Sequence, residues 1–90
     1  MPTNDQTETV RQWWINDEAF YSHWFAEAEG LVDECDDREE AKIRLAEQMC
    51  AETYADIPKN VRQPHRELLN NALQEVDWHE IATEFVADVP

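Results

Sequence analysis

The side chains of this chain best suited to hold a metal ion are His23, His65, His79, Cys35 and Cys50. Zinc sites repeat such ligands at short fixed spacings, as in Cys-x-x-Cys or His-x-x-x-His. No pair here has that spacing, so no metal or other cofactor is expected. Nucleophilic catalysis needs an activated Ser, Cys or Thr beside a base. Ser22 precedes His23, but adjacent helical residues point about 100° apart and cannot form that pair locally. With a single glycine, Gly30, the chain has no glycine-rich loop to cradle a phosphate. Glu80 and Glu84 stand one helical turn apart, which reads as a solvated face. The pattern points away from catalysis, and the chain is not expected to be an enzyme.

What remains is the acids themselves. Twenty-one Asp and Glu against seven Lys and Arg leave a net charge of −14. Six of the acids crowd into one short run, Asp33, Glu34, Asp36, Asp37, Glu39 and Glu40. A second series is Asp77, Glu80, Glu84 and Asp88. Such a surface repels nucleic acid and anionic membrane and attracts basic protein surfaces. Arg62 and Arg66 form the one local basic pair of the C-terminal half and are expected to pair with acids within the chain.

High charge can signal disorder, but 42% of the residues are apolar and nine are aromatic, which favours a folded core. One glycine and four prolines leave little material for tight β-turns. Plentiful Ala, Glu, Leu, Gln and Arg favour helix. The expected architecture is all-α, a compact bundle of three to four helices forming a single domain over residues 1–90. Cys35 and Cys50 read as small buried apolar side chains. The opening Met-Pro-Thr-Asn-Asp-Gln lacks a basic segment followed by an apolar stretch, and no run is long enough to cross a membrane. A cytoplasmic, reduced setting is therefore expected.

The helices that position these residues follow from capping and periodicity. Residues 1–7 read as a flexible lead. Thr9 with Gln12 fits a capping box opening a helix over about 9–29, with Gly30 as its stop. On a continuous helix, Trp13, Phe20 and Trp24 form one stripe and Trp14, Tyr21 and Phe25 another, together spanning roughly 140°. At least one stripe faces the core. Asp17 would fall between them, where an unpaired carboxylate costs several kcal/mol. Either the helix breaks at Asn16-Asp17, the preferred reading, or Asp17 meets a buried partner such as an indole N–H. Asp36 with Glu39 is expected to cap a helix over about 36–55, with Leu45, Ala46, Met49, Cys50 and Thr53 inward and Glu40–Arg44 paired. Pro64 suits the start of a helix over about 64–76 whose buried face is Leu68, Leu69, Ala72, Leu73 and Val76. Asp77 with Glu80 caps a last helix over about 78–87, with Trp78, Ile81, Ala82, Phe85 and Val89 inward. The acids Asp77, Glu80, Glu84 and Asp88 then share roughly 80° of its surface.

The stretches Trp14-Ile15-Asn16-Asp17-Glu18-Ala19-Phe20-Tyr21 and Val76-Asp77-Trp78-His79-Glu80-Ile81-Ala82, with Leu68-Leu69-Asn70-Asn71-Ala72-Leu73 between them, carry a resemblance. They resemble a group of small acidic all-helical proteins of unknown function from phages, plasmids and prokaryotic genomes. Ala19 stands where that pattern has glycine. The resemblance implies a single helical domain, no catalytic residues, and carriage by mobile elements, which favours interference with host defence.

The expected function is thus an acidic protein-binding inhibitor of the anti-CRISPR or antirestriction type. It would occlude the basic surface of a host protein or nucleoprotein defence complex by mimicking nucleic acid. No direct binding to nucleic acid or membrane is expected. Asp33, Glu34, Asp36, Asp37, Glu39, Glu40, Asp77, Glu80, Glu84 and Asp88 would carry the binding, with Trp13 adding aromatic contact. Two readings compete: a homodimer or adaptor built on the aromatic helix, and acidity that reflects halophilic solvation.

Overall fold

A computed structural model describes residues 4–58 and 60–90; Met1–Thr3 and Lys59 lie outside the described residues. Five α-helices make up the fold, α1 (Asp5–Asn16), α2 (Glu18–Glu34), α3 (Arg38–Ala55), α4 (His65–Gln74) and α5 (Trp78–Ala87). The all-α expectation holds, but the count of three to four is corrected to five, because the expected first helix is two. Asp17 leaves the helical conformation (φ −97°, ψ 115°), and its Oδ1 accepts from the Ala19 and Phe20 amides at 2.9 and 3.2 Å. The break resets the helical phase, so the two stripes drawn on a continuous helix do not exist. Trp14 and Trp24, from different stripes, meet in the core with ring centroids 5.0 Å apart, while Trp13 is 69% exposed.

Three expected boundaries move. α1 begins four residues before Thr9, because Asn4 caps it by accepting from the Thr7 amide at 2.8 Å. Thr9 instead donates to the Asp5 carbonyl, and the expected flexible lead is helical from Asp5. α2 runs through Gly30, whose φ is not positive, to Glu34. Leu31 and Val32 beyond it pack against the core cluster, and that burial outweighs the roughly 1 kcal/mol cost of a mid-helix glycine. A Cβ added at Gly30 meets nothing within 4 Å. Gly30→Ala is therefore expected to stabilise the fold by about 0.5–1 kcal/mol in denaturant unfolding. Finally, α3 is capped by Asp37, not Asp36; its Oδ1 accepts from the Glu39 amide at 3.0 Å.

α5 is the centre of the molecule. It packs most extensively on α3 and also touches α2 and α1, burying Ile81, Ala82, Phe85 and Val86. Asp77 caps it as expected, accepting from the Glu80 amide at 3.0 Å. Around α5 the core gathers Trp14, Trp24, Ala28, Leu45, Met49 and Val76. On the α3 face, Ala46, Cys50 and Thr53 are half-buried and Ala41 is fully buried.

α4 departs most from expectation. Of its supposed buried face only Leu73 and the following Val76 are buried; Leu68 is 64% and Leu69 37% exposed, and Ala72 is exposed. The core is closed by the other four helices, and α4 bridges α3 to α5 from outside, without an extended packing partner. Arg66 ties down the preceding loop by donating to the carbonyls of Val61 and Pro58.

The start of α1 latches the α4–α5 turn. Fully buried Thr7 accepts through Oγ1 from the Asp77 amide at 2.7 Å, and Asn4 Nδ2 donates to the Glu75 carbonyl at 2.6 Å. Thr7→Val keeps the shape and removes the acceptor. It is expected to cost about 1–3 kcal/mol, read as a lowered denaturant midpoint at unchanged slope.

Candidate functional site

The acids expected to act together fall into two groups with different local roles. The first group flanks the α2–α3 turn. Asp33 and Glu34 end α2, Asp36 and Asp37 form the link, and Glu39 and Glu40 open α3; all six are exposed. Three of them have local work. Asp37 is the cap, Glu39 holds Lys42 at 2.8 Å, and Glu40 holds Arg44 at 3.3 Å. Asp33, Glu34 and Asp36 have no hydrogen bond or ion pair among the described residues.

Arg38 joins this turn to the second group. Its guanidinium donates to the carbonyls of Val86, Val89 and Pro90 at 3.1, 3.1 and 3.0 Å. A cation is favoured at a helix C-terminus, where carbonyls lack intrahelical partners. Here a residue from another helix supplies it. The fork binds the start of α3 to the end of α5, so Asp88, itself exposed, lies at the same end of the molecule as Asp33–Glu40. Arg38 spends its directed donors on carbonyls, leaving Asp33, Glu34 and Asp36 without a guanidinium contact.

The rest of the second group faces α1. Asp77 is a helix cap. Glu84 stands 3.7 Å from Arg11, and Glu80 adds to the field on that guanidinium. Arg11 also grips Glu8 through two hydrogen bonds, at 2.6 and 3.1 Å. Hydrogen bonds from Arg11 and then Gln12 hold the Glu8 carboxyl below its ordinary value, and the Glu8 contact in turn raises Arg11. The acids of α5 therefore divide: Glu80 and Glu84 serve the α1–α5 contact, and Asp88 belongs with the anionic end.

Trp13, the aromatic expected to share the site, lies elsewhere. It borders a cleft of about 270 Å³ between α1, α2 and the last turns of α3, lined also by Val10, Phe20, Trp24, Glu52 and Asp56. Glu52 is fourteen residues beyond Arg38 on α3, so the cleft sits about 21 Å along that helix from the anionic end. The expected site residues form two surfaces, not one. Sequence reasoning gave Glu52 and Asp56 no role, because only the packing of α3 against α2 brings them to the aromatics. Arg38 was missed for a similar reason: within a run of acids it looks like an ion-pair partner, and its carbonyl acceptors are about fifty residues away.

The groups weighed for chemistry are dispersed. His23 Nε2 lies 3.3 Å from Glu52 Oε1; Cys35 is buried, Cys50 half-buried, and both thiols are free. Among the described residues, no three His, Cys, Asp or Glu side chains are grouped to hold a metal ion. No helix of the described residues is long and apolar enough to cross a membrane. The indole N–H of Trp24 is fully covered and lacks an acceptor among the described residues. No family model, curated protein or solved structure matches the chain.

Proposed function

We propose that the protein is a stoichiometric, acidic inhibitor that occludes a basic, nucleic-acid-binding surface of a host defence complex. The observation that carries this reading is the Arg38 fork, which ties the start of α3 to the end of α5 and so gathers uncompensated Asp33, Glu34 and Asp36 with Asp88 at one end. Carboxylates held on helix termini keep a fixed spacing, as phosphates do on a nucleic-acid strand, and their attraction to a basic groove is long-ranged at low salt. Anti-CRISPR or antirestriction activity is the concrete form of this function, acting on the host's own complex in the cytoplasm. It needs neither cofactor nor catalytic group. Competition tests it: duplex DNA or RNA added to the captured complex should displace the protein, because both occupy the same basic surface.

One observation favours a second reading. Trp13 and Phe20 are 69% and 44% exposed and border the same cleft, which offers an aromatic surface to a partner. In that reading the protein is an adaptor or homodimer joined through its aromatics, and its acids serve solvation. Trp13→Ala would then abolish association while acid reversal left it unchanged. A halophilic origin of the acidity predicts a chain that unfolds in dilute buffer and gains its helical circular dichroism only in molar salt.

A further inference from the structure

The cleft beside Trp13 has a composition of its own. Its walls are Trp13 and Phe20, its floor the buried rings of Trp14 and Trp24, and its α3 side Glu52 and Asp56. Trp14 stacks on Phe20 at 6.4 Å and tilts against Trp24 at 5.0 Å, so the aromatic part is continuous. Among the described residues, no Lys or Arg lines the cleft. Glu52 is already engaged by His23 at 3.3 Å and by the Gln48 amide at 3.0 Å, which leaves Asp56 as the open carboxylate, and His23 is edge-on to Trp24 at 4.6 Å. Aromatic faces attract cations through their quadrupole, and a carboxylate nearby supplies the counter-charge. Apolar walls beside two carboxylates suit a group that is flat, charged and weakly hydrated, which describes a guanidinium better than an ammonium.

The cleft is also open. Small-molecule sites bury most of their ligand, whereas both rings that form these walls, Trp13 above all, are exposed. Thr9 and Val10 are shared with a depression of about 370 Å³ between α1 and α4, lined by Ala72, Leu73 and Val76. An extended or helical chain can therefore continue from the cleft onto an apolar shelf, beside Asp5. A second copy of this chain is a poor occupant, since each copy carries a charge of −14.

We propose that this cleft is a receptor for an arginine side chain on a basic, amphipathic segment of a partner protein, with the α1–α4 shelf taking the segment's apolar residues. The guanidinium lies over Trp13 and Phe20 and faces Glu52 and Asp56. This site stands apart from the acidic end and does not depend on the mimicry reading.

The probe is a twelve-residue Leu/Arg amphipathic peptide, with versions in which citrulline, neutral and nearly the same shape, or lysine replaces arginine. Binding to the full chain is followed by the indole N–H signals in heteronuclear NMR at 0.15 M salt. The arginine peptide should shift the Trp13 signal and bind at least tenfold more tightly than the citrulline peptide, with lysine between them. Trp13→Ala and Asp56→Asn should each weaken it about tenfold or more, whereas Asp33→Lys, Glu34→Lys and Asp36→Lys combined should change it by less than about threefold. Trp13 is exposed, so its loss should leave the fold intact; Phe20→Leu, followed by circular dichroism, repeats the test at the opposite wall. Equal binding of the citrulline peptide would overturn the proposal. So would shifts confined to Asp33–Asp37, agmatine alone binding as tightly as the peptide, or a dimer that dissociates on Trp13→Ala.

Discussion

Lysine in place of Asp33, Glu34 and Asp36 together is expected to weaken binding to the host target by about 10²- to 10³-fold at low salt, with the helical signal unchanged. The three side chains are exposed and have no partner among the described residues, so their reversal removes no internal contact. Exposed charge pairs across an interface contribute about 1 kcal/mol or somewhat more each, and a reversal adds repulsion to the loss of attraction. Three such changes amount to roughly 3–4 kcal/mol, which is the stated range of affinity. Most of the loss should appear in the association rate, because steering by a charged surface acts before contact. Isothermal titration and stopped-flow mixing with the purified target measure both. Glu84→Gln is the control at a paired acid. It removes a charge already 3.7 Å from Arg11, so its effect on binding should be severalfold at most. A large loss from Glu84→Gln would show that the paired acids of α5 also carry the binding.

The largest effect on the fold is expected from Phe85→Ala. Phe85 is 2% exposed, stands 5.6 Å from the Tyr21 ring, and belongs to the helix that α1, α2 and α3 surround. Truncating a buried Phe to Ala costs about 3–5 kcal/mol, through lost transfer energy and the cavity left behind. A domain of this size has about 5–13 kcal/mol of stability in total. Thermal unfolding followed at 222 nm should therefore show a midpoint lower by about 15–30 °C. A fall of only a few degrees would show that α5 is not the central element of the fold.

Local chemistry was readable from the sequence at some helix starts, although Thr9 and Asp36 look like the caps that Asn4 and Asp37 supply. Asp17 and Asp77 carry the side chain and position that caps require, and both cap. Leu45, Met49, Ile81, Phe85 and Val89 repeat at helical spacing and are buried. Features that depend on distant partners were not readable. Thr7 looks like part of a polar lead until the Asp77 amide, seventy residues away, meets its hydroxyl. Gly30 carries the usual mark of a helix end, yet the packing of Leu31 and Val32 holds the chain helical. The periodicity of α4 correctly predicts an amphipathic helix but cannot show that the core closes without Leu68 and Leu69. Phase was lost at Asp17, so the exposed ring of Trp13 and the buried ring of Trp14 could not be assigned in advance. The candidate site divides in the same way. Its acids are plain in composition, while their separation into capping, paired and uncompensated groups depends on Arg11, Arg38, Lys42 and Arg44.

Under the proposed function, uncompensated carboxylates at one end of the protein engage a basic surface. Retention of the host target on the immobilised protein, compared at 0.05 and 0.5 M salt, tests it most directly. The Debye length falls about threefold over that range. Retention should fall by at least tenfold, and duplex DNA added at the lower salt should release the target. A target held equally well at both salt concentrations, and indifferent to DNA, would rule out binding through these carboxylates.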